Sequence, residues 1–398
     1  MLKETLQKVL TGQALPAVPD SEVPRLLAPK LKLRREFALV LTGIRRCGKS
    51  TLQGQLMRES NRPFYCNFDD IRLAGMTSDD FALWLEVFNE TAGADADVFL
   101  DEVQEVEGWQ RLVRTLLDAG RRVCVTGSNA SLLGHELGAK LTGRHESRTV
   151  WPFCYSEYLT ATGQERGVES LQNYLSDGGF PAYLRERRDT LLNDLLRDVL
   201  LRDVMVRHRL RETRHLNNLF LYLSANIGLP VSLQKLTKNL EIPAVTHTSR
   251  YVEYLQDAYL LFALPKYSPS FRARVVAPPK YYAIDTGLLR AVSPQAAPDR
   301  GRRLENALLL DFLRRGETPS YAAEHDAWEC DFVTGDTVWQ ACWQLNEENT
   351  KRETRGLLAA KAQTRAKRMV ILTAQNHSQT LTHEGEKIEV IPAWEWLG

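Results

Sequence analysis

Short apolar runs alternate with stretches of helical periodicity through the first part of the chain. Runs that predict buried strands lie at 37–42, 64–68, 98–100, 122–126 and 147–150. Strands that alternate with helices predict an α/β domain on a doubly wound parallel sheet, spanning residues 37–154. Residues 1–36, with Leu2, Leu6 and Leu10 spaced by four, predict a helical lead-in.

The pattern changes after residue 154. Residues 155–215 lack strand-like runs and predict a helical subdomain. Residues 216–290 give helices, a turn at 241–243 and two strand-like runs, which is the order of a winged helix. A stretch with prolines and arginines follows, and residues 303–398 predict a last unit of helices and strands.

Composition narrows the classes of protein that fit. The 51 Lys and Arg residues nearly balance 50 Asp and Glu residues, so net charge does not argue for nucleic acid, although local basic faces remain possible. Six cysteines without a Cys-x-x-Cys pair indicate buried reduced thiols. We find no apolar run of about 18 residues and no signal-like start, so the expected location is the cytoplasm and no membrane contact is predicted.

Candidate chemistry begins after the first predicted strand. The segment Gly43-Ile-Arg-Arg46-Cys47-Gly48-Lys49-Ser50-Thr51 has the spacing of a loop that wraps nucleotide phosphates. Its backbone N–H groups would hold the β-phosphate, Lys49 would bridge the β- and γ-phosphates, and Ser50 Oγ would bind Mg²⁺. The sequence therefore predicts ATP and Mg²⁺ as cofactors, with a surface turn before a helix as the alternative.

Polar residues follow two further strands. Asp101 would complete the Mg²⁺ shell, and Glu102 would polarise the water that attacks the γ-phosphate, because ligands bind at the carboxyl ends of such strands. A pair of solvated acids is the alternative. Asn129, or failing that Ser128, would bond the attacking water or the γ-phosphate, and a helix N-cap is an equal alternative for both.

Several motifs together resemble a known family. They are Gly43-x-Arg-Arg-x-Gly-Lys-Ser-Thr51, Leu100-Asp-Glu-Val-Gln104 with Trp109 following, Thr126-Gly-Ser-Asn129, and Leu141-Thr-Gly-Arg144 before Trp151-Pro-Phe and Ser156-Glu-Tyr158. Over most of its length the chain is similar to bacterial and archaeal AAA+ ATPases with a C-terminal domain related to restriction endonucleases. The resemblance implies an α/β fold: a P-loop AAA+ parallel sheet with a helical lid, a winged helix, and a C-terminal α/β restriction-endonuclease-like domain.

The same resemblance implies roles for residues that spacing alone does not assign. Arg144 would be an arginine finger that reaches the γ-phosphate of a neighbouring subunit, which implies a homo-oligomeric ring, with a hexamer favoured. The stretch Asp177-Gly-Gly-Phe-Pro181 resembles an element placed over adenine, and a helix-ending turn is its alternative. Cys47 replaces the aliphatic residue common at its position and could make ATP binding sensitive to thiol oxidants.

A basic face is predicted on the winged helix. Its candidate DNA contacts are Lys235, Lys238, Thr246, His247, Ser249, Arg250, Arg272 and Arg274, with Lys266 and Lys280 nearby. Val245, Val252 and Leu255 are predicted to face the core. The alternative is a winged helix that packs only on the ATPase or on a protein partner.

The last unit follows the order of a restriction-like nuclease core. Glu305 and Asp331 occupy the helix-glutamate and strand-aspartate positions, but Gln340 and Cys342 stand where an acid and a lysine are needed. The nuclease is therefore predicted to be degenerate, with Glu305 and Asp331 as at most a weak metal pair.

The function predicted from the sequence is ATP hydrolysis without nuclease activity. Turnover in an oligomer would drive remodelling or translocation of DNA, and similarity to Holliday-junction branch-migration motors suggests branched or recombining DNA. The alternative is a regulatory nucleotide switch that binds a protein partner in stress response or defence without DNA contact.

Overall fold

A computed structural model describes residues 1–13, 22–93, 95–128, 141, 143–210, 213–292, 299–324 and 327–398, with residues 291 and 292 described by backbone alone. The chain divides into two compact units, Met1–Trp151 and Pro152–Gly398. Within the described residues, no helix combines the length and the apolar character needed to cross a membrane.

The first unit is built on a five-stranded parallel sheet. Its strands are β1 (Ala38–Thr42), β2 (Pro63–Asn67), β3 (Asp97–Asp101), β4 (Val123–Gly127) and β5 (His145–Thr149). The strands lie in the order β2-β3-β4-β1-β5, so β1 is bordered by β4 and β5. The parallel sheet predicted from the apolar runs is confirmed.

Helices cover the sheet of the first unit. They are α1 (Lys3–Gly12), α2 (Lys49–Arg58), α3 (Phe81–Ala92) and α4 (Trp109–Asp118), with 3₁₀ turns at Ala28–Lys30, Ile71–Leu73, Ser78–Asp80 and Val103–Glu105. Helix α1 packs on α3, and its Leu6, Val9 and Leu10 join the main core. Leu2 is 76% exposed, so only part of the predicted leucine stripe is buried.

The second unit begins with helices. They are α5 (Tyr155–Thr162), α6 (Val168–Asp177), α7 (Pro181–Glu186), α8 (Thr190–Asp198) with a π-helical continuation over Val199–Val206, α9 (Arg214–Ala225), α10 (Leu233–Asn239) and α11 (Val245–Asp257). A two-stranded antiparallel sheet of β6 (Leu261–Leu264) and β7 (Lys280–Ala283) follows, with α12 (Phe271–Val276) between its strands. Helices α9, α10 and α11 and the two strands were predicted as parts of a winged helix, whereas α12 was not predicted. The winged-helix interpretation stays a prediction.

The core side of α11 was predicted in part. Val252 is 5% exposed and Leu255 is fully buried, as expected, whereas Val245 is 37% exposed. Val245 is the first residue of the helix, so it lies beyond the part of the α11 face that packs on the unit. The prediction for Val245 was wrong.

A mixed six-stranded sheet ends the second unit. After α13 (Thr286–Val292) and α14 (Arg300–Arg314) come β8 (Ser320–Glu324), β9 (Trp328–Thr334), β10 (Thr337–Cys342), α15 (Glu347–Thr364), β11 (Arg368–Thr373), β12 (Gln379–His383), β13 (Glu386–Pro392) and α16 (Ala393–Trp396). The strand order is β12-β13-β11-β10-β9-β8, with β11 parallel to β10 and β13. The restriction-endonuclease-like interpretation and the domain limits at 155–215, 216–290 and 303–398 stay predictions.

Candidate nucleotide site

The predicted phosphate-binding loop connects β1 to α2. Gly43 has φ +149°, and a Cβ there would lie 2.1 Å from the carbonyl oxygen of Val150. Gly48 has φ +99° and is the N-cap of α2. Both glycines are needed, because a side chain at either position would strain or obstruct the turn. The strand, loop and helix predicted from the sequence are present.

Lys49 lies inside this loop. It is 4% exposed, and its Nζ donates to the carbonyl oxygens of Gly43 and Ile44 at 3.1 and 3.2 Å. Neutral carbonyl oxygens stabilise a buried ammonium less than an anion does. The Lys49 ammonium could therefore leave these two carbonyl oxygens and bind phosphate oxygens of a nucleotide in the loop.

Asp101 ends β3 as a buried carboxylate held on both oxygens. Tyr65 donates its hydroxyl to Oδ2 at 2.9 Å, and Thr126 Oγ1 donates to Oδ1. Burial, and then the neighbouring Asp101, raise the pKa of Tyr65 well above its usual range, so Tyr65 stays a donor. The fixed carboxylate suits Mg²⁺, which prefers oxygen ligands in a strict geometry.

Glu102 lies between Lys49 and Gln104. Its backbone is left-handed at φ +50°, and its N–H donates to Thr126 Oγ1 at 3.0 Å. Its Oε1 lies 3.9 Å from Lys49 Nζ, and its Oε2 accepts from Gln104 Nε2 at 2.5 Å. The two predicted acids thus differ in surroundings: Asp101 is locked among donors from the sheet, whereas Glu102 faces the lysine of the loop.

Two residues without a role in the sequence reasoning support the site. Arg25 is 4% exposed and donates to the carbonyl oxygens of Cys47 and Trp151 at 2.9 and 2.7 Å, which braces the back of the loop. Gln104 contacts Glu102 and also lies 3.4 Å from Ser128 Oγ. Gln104 stood within a quoted motif, but nothing in the sequence signalled Arg25, because its partners are distant in the chain.

Cys47 is a structural part of the loop. It is fully buried, and its Sγ donates to the carbonyl oxygen of Val150 at 3.1 Å. Burial raises the pKa of this thiol, so the reactive thiolate is disfavoured. The predicted sensitivity to thiol oxidants finds no support in this geometry.

Arg144 lies where the strands of the sheet begin, whereas the loop lies at their carboxyl ends. Its carbonyl oxygen accepts the N–H of Ala38 at the start of β1, whereas the loop follows Thr42 at the strand's end. Strand β1 separates the two ends by about 13 Å. The Arg144 guanidinium pairs with Asp118 at 2.5 Å and donates to the carbonyl oxygen of Glu36. The structure therefore does not place Arg144 beside Lys49 of its own chain.

The remaining predicted nucleotide contacts are partly described. Ser50 and Thr51 are half-buried in the first turn of α2, and Arg46 is exposed at φ +63°. Ser128 is 2% exposed and follows β4, while Asn129 lies outside the described residues. Pro181 belongs to the second unit, where it opens α7. Its predicted role over adenine stays a prediction.

The glycines before Pro181 have a structural reason of their own. Gly178 ends α6 at φ +73°, and a Cβ there would lie 2.1 Å from Asp285 Oδ1. The N–H of Gly179 donates to Asp285 Oδ2 at 2.6 Å. The helix-ending turn weighed as the alternative is therefore present, with Asp285 packed against it.

The residues of the predicted basic face are exposed or half-buried, with the exception of Lys280. Lys235, Lys238, Thr246, His247, Arg250, Arg272 and Arg274 are exposed, Lys266 and Ser249 are half-buried, and Lys280 is fully buried. Lys280 cannot reach a phosphate, because its Nζ is enclosed by Glu305, Glu329 and Asp331. Its assignment to the basic face was wrong.

Comparison with known proteins finds family models that match two parts of the chain. Residues 35–159 match a family model described as an AAA domain, and residues 168–299 match one described as a domain of unknown function (DUF8612). Residues 35–159 therefore form a P-loop AAA-type domain, the nucleotide-binding type to which the loop geometry belongs.

Two relatives match nearly the whole chain. An uncharacterized protein of Haemophilus influenzae is 29% identical over 386 residues, which span 91% of this chain and 94% of that protein. An uncharacterized protein of Methanocaldococcus jannaschii is 28% identical over 403 residues, which span 92% and 89%. A chain in a structure of Drosophila ORC bound to AT-rich DNA and Cdc6 matches 66% of this chain and 86% of its own at 11% identity, but its TM-score of 0.20 is too low to support a shared fold.

Proposed function

We propose that this chain is an AAA+ ATPase that couples ATP hydrolysis in a homo-oligomer to remodelling or translocation of DNA, with branched or recombining DNA as candidate substrates. One observation carries the ATPase: a loop lysine and two strand-end acids lie at the same edge of one parallel sheet, with Lys49 Nζ 3.9 Å from Glu102 Oε1. Charged groups of both signs held close together at such an edge are what phosphoryl transfer requires.

Each residue has a distinct part in this proposal. Lys49 leaves the carbonyl oxygens of the loop and binds the β- and γ-phosphates, and Glu102 orients the attacking water. Ser50 and the fixed carboxylate of Asp101 would hold Mg²⁺. When bound, Mg²⁺ neutralises charge on the phosphate oxygens as the bond to the leaving group breaks.

An oligomer follows if Arg144 acts as an arginine finger. The guanidinium lies at the end of the sheet away from its own loop, so a nucleotide that it contacts would be one bound to another chain. Its pairing with Asp118 is solvent-exposed and therefore weak enough to exchange for a phosphate. The hexameric ring is part of this proposal.

DNA is the proposed partner because of the surface around β6 and β7. The chain has no acidic residue between Asp257 and Asp285, and Arg272 and Arg274 are exposed on α12 between the two strands. Lys235, Lys238 and Arg250 are exposed on the neighbouring helices α10 and α11. A stretch of chain without acids, with exposed cations on it and on the helices beside it, suits a polyanion.

A second function is favoured by one observation. On α12, Phe271, Val275 and Val276 are 71%, 66% and 75% exposed. Apolar side chains exposed together often mark a contact with another protein. A nucleotide switch that binds a protein partner through α12, without DNA contact, is therefore the competing proposal.

The ATPase rate separates the two proposals. We expect wild-type protein to hydrolyse ATP with Mg²⁺, and duplex, single-stranded or junction DNA to increase the rate at low salt and less at moderate salt. Glu102→Gln in the same assay corrects for contaminating ATPases. Hydrolysis that no DNA changes, together with no retention of any DNA by the protein, would support the protein-binding switch instead.

A further inference from the structure

A buried lysine lies at the centre of the carboxylates predicted to form the degenerate nuclease site. Lys280 is fully buried, and its Nζ lies 2.7 Å from Glu329 Oε1, 3.0 Å from Glu305 Oε1 and 3.4 Å from Asp331 Oδ1. Three elements contribute, because Lys280 is on β7, Glu305 on α14, and Glu329 and Asp331 on β9. Sequence reasoning paired Glu305 with Asp331 but missed the cation between them.

The carboxylates are also held by neutral donors. Tyr282 donates its hydroxyl to Glu305 Oε1 at 2.5 Å, and the N–H of Ala341 donates to Asp331 Oδ2 at 2.9 Å. Gln340, which stands at the acid position of the nuclease pattern, instead accepts the N–H of Asp331. These contacts fix Glu305 to β7 and Asp331 to β10.

The position of the ammonium decides what the cluster can bind. A divalent ion needs carboxylate oxygens converging on it at a little over 2 Å, whereas Lys280 brings these oxygens together at hydrogen-bond distances. In the described part of the chain, no group of three or more His, Cys, Asp or Glu side chains is placed to hold a metal ion. The lysine and a divalent ion would compete for the same oxygens.

We propose that Lys280 is the resident cation of this cluster, so that the cluster takes no divalent metal and the neighbouring cleft does not cleave phosphodiester bonds. The cleft has a volume of about 1350 Å³ and includes Glu305, Glu329, Asp331 and Gln340 in its lining. The carboxylates bind Lys280, which fixes β7 against α14 and β9. This explains why the acids are present although Gln340 and Cys342 replace the other nuclease groups.

Counting bound Mn²⁺ tests the proposal on the full-length, nucleotide-free protein. Electron paramagnetic resonance measures free Mn²⁺, and the difference from the total gives ions bound per chain. We expect wild type and Asp331→Asn to bind equal numbers. Lys280→Ala should bind one more ion per chain than wild type, and Lys280→Ala with Asp331→Asn should lose that ion. Lys266→Ala, which alters a lysine of the cleft outside the cluster, should match wild type.

The same samples can contradict the proposal. A wild-type Mn²⁺ site that Asp331→Asn removes would show that metal and lysine coexist. So would Mg²⁺-dependent cleavage of DNA by wild type that both Lys280→Ala and Asp331→Asn abolish. A folded Lys280→Ala protein that gains no Mn²⁺ also counts against it, and Lys280→Ser serves if the alanine variant does not fold. The comparison of wild type with Asp331→Asn needs no change at Lys280.

Discussion

Gln104 Nε2 lies 2.5 Å from Glu102 Oε2, so the proposed catalytic carboxylate is held by an amide two residues further along the chain. The same amide nitrogen lies 3.4 Å from Ser128 Oγ after β4. The other amide atom, Oε1, is buried without a hydrogen-bond partner among the described residues. Gln104 is therefore well placed to fix the direction of the Glu102 carboxylate.

Removing this contact should slow hydrolysis more than it weakens binding. A hydrogen bond to a charged group contributes about 1.5–3 kcal/mol, so Gln104→Ala should lower kcat about tenfold or more while the Kd for ATP changes little. Steady-state kinetics and nucleotide titration on the same protein measure both. A Gln104→Ala protein with wild-type kcat would show that Gln104 does not contribute to hydrolysis.

Lys49 and Glu102 should separate binding from turnover. Lys49→Ala removes the cation that would contact the phosphates, so nucleotide binding should be lost. Glu102→Gln keeps shape and hydrogen bonding but cannot polarise water as a carboxylate does, so binding should persist while hydrolysis stops. Titration with a fluorescent ATP analogue, followed by a phosphate-release assay, distinguishes the two. Normal hydrolysis by Glu102→Gln would refute its role.

We expect the stability of the second unit to depend on pH because of Asp285. Burial raises the pKa of Asp285 to about 6 from the ordinary 3.8. The N–H donors of Gly179 and Leu288 and the charge of Arg314 lower the pKa and only partly offset the effect of burial. The folded state then binds more protons than the unfolded state between pH 4 and 6. Stability from this group is present below pH 4 and falls as pH rises, by about 3 kcal/mol.

Asp285→Asn should flatten that dependence. Chemical denaturation at pH 4, 5, 6 and 7 measures how the unfolding free energy changes with pH, and between pH 4 and 6 it should fall more steeply for wild type than for the variant. Asp189→Asn offers a control, because Asp189 is an exposed acid paired with Arg290. Equal slopes for wild type and Asp285→Asn would show that Asp285 does not titrate there.

Arg272 and Arg274 should contribute charge to DNA binding. If each contacts one phosphate, replacing both with alanine should reduce the slope of log Kobs against log salt by about two for duplex DNA. Arg368→Ala is the control, because Arg368 is an exposed arginine of the same unit that pairs with Glu389. Fluorescence anisotropy over a salt series measures the slopes. An unchanged slope would exclude α12 from the DNA surface.

The local sequence pattern predicted the strands and the loop of the first unit well, because the elements that form the candidate site follow one another closely in the sequence. The strand before Gly43, the loop and the helix that begins at Lys49 are neighbours in the chain, and Asp101 closes an apolar run. Lys280 was misassigned because the basic residues near it in sequence suggested an exposed face. Its actual partners lie 25, 49 and 51 residues further along the chain, and burial of that kind leaves no local signal.

Arg25 and Val245 show the same limit on a smaller scale. Arg25 donates to the backbone carbonyl oxygens of Cys47 and Trp151. Because every residue has a carbonyl oxygen, the residue types of these partners could not have indicated the contact. Val245 fits the apolar periodicity of α11, but periodicity does not tell where packing against the rest of the unit stops. Both features depend on tertiary contacts and not on local spacing.

If ATP is hydrolysed at sites that a neighbouring chain's Arg144 completes, two inactive variants should restore activity when they are mixed. Arg144→Ala should lower hydrolysis by about 10³-fold or more, and Lys49→Ala should not hydrolyse ATP. In mixed oligomers, an intact loop from Arg144→Ala can meet an intact Arg144 from Lys49→Ala, so we expect part of the ATPase rate to return. No recovery in mixtures that are shown to co-assemble would contradict it.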